Sequence, residues 1–315
     1  MTALICGSFA YDTVMVFYDH FKNHILPDKT HMLNVSFLVP DMHKSFGGCA
    51  GNIAYNLKLL GAEPKPMATV GDDFQPYANW LDKCGISRNY ITEVSGSFTG
   101  QAFITTDLDD NQITAFHPGA MSYAHQNSVK DAAGISLGIV SPDGRDGMIQ
   151  HAQEFYEAEI PFIFDPGQGM PMFDGEDLKR FIEQATWVTV NDYEAELLQE
   201  RTGMSPHEIA EQVEAYIVTL GGEGSHIYTK EHRIEIPCAK ARELSDPTGC
   251  GDAYRAGLIF GLLHDLDWHI TGRIASLIGT IKIESHGPQN HNFSREAFAQ
   301  RYKQEFGEEL LIFND

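Results

Sequence analysis

Basic residues are scarce in this chain: 22 Lys and Arg stand against 44 Asp and Glu, for a formal net charge of −22. Nucleic acid and anionic membranes are held by clustered cations, so neither is expected as a partner. Pairing signals for cysteine are missing too. The five cysteines, at 6, 49, 84, 238 and 250, are odd in number and include no Cys-x-x-Cys, which points to reduced thiols in a cytoplasmic protein. The stretch His207 to Glu211 ends in glutamate where a zinc helix needs a second histidine, so structural zinc is set aside. The N-terminal apolar strand, Ala3 to Cys6, lacks the basic stretch and long apolar run of a signal peptide, and no transmembrane span is expected. Neither Gly-x-x-x-x-Gly-Lys-Ser/Thr nor Gly-x-Gly-x-x-Gly after a strand occurs, which removes the P-loop and dinucleotide readings, and protein-kinase signatures are absent.

What the chain does have is core. Hydrophobic content of 43% over 315 residues suits one large α/β domain, without internal repeat or low-complexity linker. Short apolar runs at Leu137 to Val140, Phe162 to Phe164, Trp187 to Val190 and Tyr216 to Leu220 each precede a loop of glycine, proline, asparagine or aspartate and alternate with helical patterns. This predicts a mainly parallel sheet with helices on its faces and a site at the carboxyl ends of the strands. The regions 13–46 and 98–120 read differently, as strands and turns: Gln101 to Thr106, a turn at Asp109, Asp110 and Asn111, then Gln112 to Phe116. They predict a small second β-sheet.

Two motifs carry chemistry. Asp246, Pro247, Thr248, Gly249, Cys250, Gly251 and Asp252 precede a helix that continues through Leu262. Small residues at a helix start expose backbone N–H groups to an anion, and Asp252 at the rim suits a general base; read alone, it suits a helix cap equally. About two hundred residues upstream, Gly47, Gly48, Cys49, Ala50, Gly51, Asn52, Ile53 and Ala54 open an amphipathic helix running to Leu60, with glycines at 61 and 71 beyond it. Together the two runs resemble the signatures of the ribokinase-like (PfkB) carbohydrate and nucleoside kinases, with Cys250 where that family usually has alanine, glycine or serine.

The resemblance implies a three-layer ribokinase-like fold of one domain, 1–315, with a β lid built from the insertions at 13–46 and 98–120. It implies direct phosphoryl transfer from ATP, with Asp252 as base and the N–H groups of Gly249, Cys250 and Gly251 as anion hole. Asp12, after the first strand, would accept hydrogen bonds from the vicinal hydroxyls of a pentose, and Gly47, Gly48 and Asn52 would complete sugar recognition. Asn191 and Glu194 resemble the family's magnesium and phosphate motif, and they also read as a capping box. Thr219, Gly221, Gly222 and Gly224 resemble its nucleotide loop. Asp246 and Thr248 match positions that hold a monovalent cation such as K+, with carbonyls from 285–290. A nucleoside acceptor, adenosine before other nucleosides, is favoured over ribose or fructose by likeness to bacterial adenosine and broad nucleoside kinases. The aromatics Phe17, Tyr18, Phe21, Phe37, Phe103 and Phe116 add to this if they face a base, and otherwise form lid core. A homodimer through the lid is a further expectation, and a catalytically silent sensor of nucleoside or sugar is the alternative from another class.

Overall fold

The computed structural model describes residues 2–25, 34–109 and 111–313. Residues 26–33 of the first insertion, and Asp110 of the expected turn, lie outside the described residues. Strand β1 (Thr2–Cys6) lies third from one edge of a nine-stranded sheet with β4 (Glu63–Val70), β5 (Tyr90–Glu93), β8 (Leu137–Val140), β9 (Phe162–Phe164), β10 (Trp187–Asn191), β11 (Ala215–Thr219), β12 (Ser225–Tyr228) and β13 (Arg233–Ile236). The order is β13-β12-β11-β10-β9-β8-β1-β4-β5. All neighbours from β11 to β5 pair in parallel, and the hairpin β12–β13 adds the antiparallel edge.

Alternate residues along the strands feed two separate cores, because a strand turns successive side chains to opposite faces. Ala3, Ile5, Ile139 and Ile217 join α1 (Cys49–Leu60), α2 (Gln75–Cys84), α7 (Cys250–Leu263), α8 (Trp268–Ile283) and α9 (Arg295–Phe306) on one face. Leu4, Cys6, Val140, Phe164 and Tyr216 meet α3 (Arg145–Glu157), α4 (Gly175–Gln184), α5 (Asp192–Thr202) and α6 (Pro206–Gln212) on the other. From β1 the chain winds outward through β4 and β5, then returns to β8 on the other side of β1 and winds the opposite way. The order therefore reverses between β1 and β8, and a crevice opens there at the carboxyl ends of the strands.

A second, four-stranded sheet rises from that crevice: β3 (Asp41–Gly47), β2 (Ala10–Val16), β6 (Gly100–Thr106) and β7 (Gln112–His117), in that order. Phe17, Phe21 and Phe37 pack on one another beyond the end of β2, with ring centroids 4.8 to 5.9 Å apart. Tyr18, Phe103 and Phe116 are exposed. No helix among the described residues is long and apolar enough to cross a membrane.

The small sheet hands the chain directly to α1 through Gly48, which has φ +85°. A Cβ there would lie 2.6 Å from Ala10 N and Ser8 O and 2.7 Å from Phe9 Cα. Backbone cannot retreat from such contacts, so Gly48→Ala should lower stability by about 3–5 kcal/mol. Gly222→Ala, where nothing lies within 4 Å, should change it little; thermal denaturation of the pair checks the contrast.

Candidate active site

Asp252 occupies the third position of α7 and does not cap the helix; Gly249, at φ +82°, is the N-cap residue. The Asp252 carboxylate instead accepts a hydrogen bond from Asn52 Nδ2 at 2.8 Å. Asn52 lies in the first turn of α1, so the bond ties two helix starts together. Its direction is set by a chain of partners. Trp80 Nε1, which can only donate, gives its proton to Gln289 Oε1 at 2.8 Å. The other end of the Gln289 amide, Nε2, therefore donates, to Asn52 Oδ1 at 2.9 Å and to Tyr77 Oη at 2.6 Å. With Oδ1 occupied as an acceptor, Asn52 has only its N–H groups to offer Asp252. Tyr77 closes the network by donating to the Gly47 carbonyl at 2.9 Å. Burial pushes the Asp252 carboxyl up to about 6, while the Asn52 hydrogen bond restrains the rise. Such a group is ionised at neutral pH and accepts a proton more readily than an ordinary aspartate.

One helical turn beyond Asp252, Arg255 forms a buried bidentate pair with Asp165 at the end of β9, with Nε–Oδ2 at 3.1 Å and Nη2–Oδ1 at 2.9 Å. Its Nη2 also stands 3.9 Å from Glu194 Oε2. Sequence reasoning missed both Asp165 and Arg255; the former ends an apolar run in the sequence Phe-Asp-Pro-Gly, which was the available signal. Glu194 and Asn191 form a complete capping box: Glu194 N donates to Asn191 Oδ1 at 2.7 Å, and Asn191 N to Glu194 Oε2 at 2.8 Å. Burial pushes Glu194 up, with Asp165 adding to the rise and Arg255 opposing it.

Asn191 and Thr219 are register partners across the parallel pair β10–β11, so the two segments leave the sheet side by side. Beyond Thr219, Gly221 and Gly222 enter a short 3-10 turn that Leu220 N closes on Gly224 O at 2.8 Å. On the opposite side of the crevice, Asp12 lies in β2 against the bare Gly47, where a Cβ would stand 2.3 Å from its Oδ2. Burial raises the Asp12 carboxyl to about 6, and the nearby Asp246 adds to the rise. Among the described residues no donor satisfies the Asp12 carboxylate, which leaves it free for hydroxyl groups of a ligand.

One expectation for the start of α7 needs correction. The Cys250 N–H is engaged by Pro247 O at 3.1 Å, so the amides without a backbone acceptor are those of Gly249 and Gly251. Burial raises the Cys250 thiol to about 11, which makes it a poor nucleophile at neutral pH. Asp246, before the helix, is engaged through both its carboxylate and its main-chain carbonyl. The Asp246 carboxylate accepts from Thr248 N and Gly287 N, both at 2.8 Å. Its main-chain carbonyl accepts from the ammonium of Lys282 at 2.7 Å.

Residues 11–294 match the model of the pfkB family carbohydrate kinases. A nucleoside kinase of Methanocaldococcus jannaschii is 33% identical over 260 residues, covering 82% of this chain and 85% of that protein. A solved nucleoside kinase of Burkholderia thailandensis, in complex with inosine, is 49% identical with a TM-score of 0.89, covering 98% of this chain and 99% of that one. The same kinase in complex with ADP-inosine is 51% identical with a TM-score of 0.87, covering 98% and 97%.

The hydrogen-bond chain makes a prediction independent of any reaction. Carboxyl NMR should show Asp252 titrating near 6. Gln289→Leu releases Asn52 and weakens the bond that favours ionised Asp252, so the midpoint should rise by about one unit. An unchanged midpoint would mean that Gln289 does not hold Asn52.

Proposed function

Because this chain belongs to the pfkB family of carbohydrate kinases, we propose that it transfers the γ-phosphoryl group of ATP to the 5′-hydroxyl of a nucleoside, with adenosine the preferred acceptor. The observation that carries the reading is the buried Asp252 carboxylate, held by Asn52 beside the open amides of Gly249 and Gly251. Likeness to nucleoside kinases, one of them bound to inosine, supports the acceptor class.

In this mechanism Asp252 takes the proton of the 5′-hydroxyl as the oxygen attacks the γ-phosphorus, the bond to ADP breaks, and the proton later passes to water. The Gly249 and Gly251 amides, at the positive end of α7, stabilise negative charge on the transferring group. Asp12 accepts from the ribose 2′- and 3′-hydroxyls, and the Gly47–Gly48 turn lets the backbone approach the sugar. Asn191, Thr219, Gly221, Gly222 and Gly224 cradle the nucleotide. Magnesium, when bound, neutralises charge on the β- and γ-phosphoryl oxygens. Glu194 would hold it through water by Oε1, since Oε2 is spent on Asn191 N and faces Arg255. The small sheet acts as the lid, and its exposed Phe103 and Ile113, on the face opposite Asp12, are the surface on which a second copy would pair.

ADP release from Mg-ATP with adenosine, inosine, ribose and fructose in parallel tests the proposal. Adenosine should turn over fastest, inosine next, and the free sugars little. Asp252→Asn should lower kcat by about 10²–10⁴-fold with KM changed only a few-fold. Turnover with a free sugar alone would overturn the acceptor, and binding without ADP release in any arm would favour a sensor.

A further inference from the structure

The strongest unexplained group in the molecule is a fully buried lysine. Lys282, in the last turn of α8, has no exposed surface. Its Nζ donates to the Asp246 carbonyl at 2.7 Å and to the Ser285 carbonyl at 3.1 Å, with the Asp246 carboxylate 3.9 Å away. The same corner is sewn together by Ser245 N and Asp246 N, which donate to the Ile283 carbonyl at 2.9 and 3.1 Å. A lysine is seldom buried without recompense, because its ammonium loses water on entering the protein. Here carbonyl oxygens and one carboxylate replace that water. These are the ligand types that would hold a potassium ion, and they come from the two segments the PfkB resemblance assigns to one.

We propose that the Lys282 ammonium is this protein's built-in monovalent cation, so that phosphoryl transfer proceeds without added K+. A bound K+ does not fit beside it: a second positive charge would share the same carbonyls at close range, and the one carboxylate at this corner, Asp246, is already matched by the ammonium 3.9 Å away. The ammonium does structurally what a cation would do. It fixes the Asp246 carbonyl, and with it the turn through Pro247 and Thr248 that presents the Gly249 and Gly251 amides. Its tether to α8 makes it permanent, whereas an ion would exchange with solvent. The inference rests on the kinase reading for its activity arm only.

The test compares the full-length protein in potassium chloride, sodium chloride and tetramethylammonium chloride at equal ionic strength, by turnover and by thermal denaturation. Wild type should show equal rates within about twofold and equal melting temperatures in all three salts. Lys282→Met leaves the Asp246 and Ser285 carbonyls without a cation. In tetramethylammonium it should be at least tenfold slower and less stable than wild type, and K+ should restore both properties. A wild-type rate or melting temperature raised specifically by K+ would overturn the proposal. So would a folded Lys282→Met protein that K+ fails to rescue. Should that variant not fold, the wild-type salt comparison still decides. If wild type shows no turnover with any acceptor, the kinase reading fails, and the melting temperatures, which need no substrate, still decide the cation question.

Discussion

The hydrogen bond from Asn52 to Asp252 spans 200 residues of sequence and joins the first turns of α1 and α7. Everything proposed for the site depends on that joint. Asn52 enters through the Gly48 turn that ends the small sheet, and Asp252 enters through the Gly249 turn that begins the last helical layer. Their meeting point lies where the strand order of the main sheet reverses, so the fold delivers both helix starts to the one crevice that a doubly wound sheet leaves open. Gln289, Trp80 and Tyr77 allow the bond only one polarity, with Asp252 as acceptor. The carboxylate is therefore positioned as an acceptor, with Asn52 on its Oδ2.

Charge is distributed with the same economy. A chain with a formal net charge of −22 has to receive a polyanion if it uses ATP. The structure meets this with backbone amides at helix starts and with two cations placed inside the protein. Arg255 neutralises Asp165 and stands near Glu194. Lys282 performs a parallel service beneath the Asp246 turn. Buried charges of this kind are costly unless fully paired, and both are paired here.

Much of this was legible in the sequence, and what was not has identifiable causes. The apolar runs at 137–140 and 162–164 became strands with the same bounds, because a strand buried on both faces is a continuous hydrophobic run. The two glycine signatures marked Asn52, Asp252 and Gly249, since backbone turns at helix starts need residues of particular size. Gln289 and Lys282 carried no such mark. Each acts through a partner in a different segment, and a lysine in the last turn of a helix reads as an exposed residue serving the helix dipole. The aromatic residues of the small sheet left two readings open for a related reason: a composition that suits a base pocket is equally the composition of a small core, and the sequence does not show that Phe17, Phe21 and Phe37 pack on one another. Cys250 was read as a donor in the anion hole, but the turn at Pro247 takes its amide, a contact decided by backbone geometry.

The central claim is that Asp252 is the base, with a carboxyl shifted upward by burial. The pH dependence of kcat/KM for adenosine at saturating Mg-ATP, from about pH 5 to about pH 9, tests it most directly. The account predicts a rate that climbs to a limb at about 6, to which Asp12 and Asp252 both contribute, and is flat beyond it, with the Asp252 part displaced upward in Gln289→Leu, a substitution that ionisation of ATP itself cannot sense. A profile without a limb, or one whose limb ignores Gln289, would contradict it.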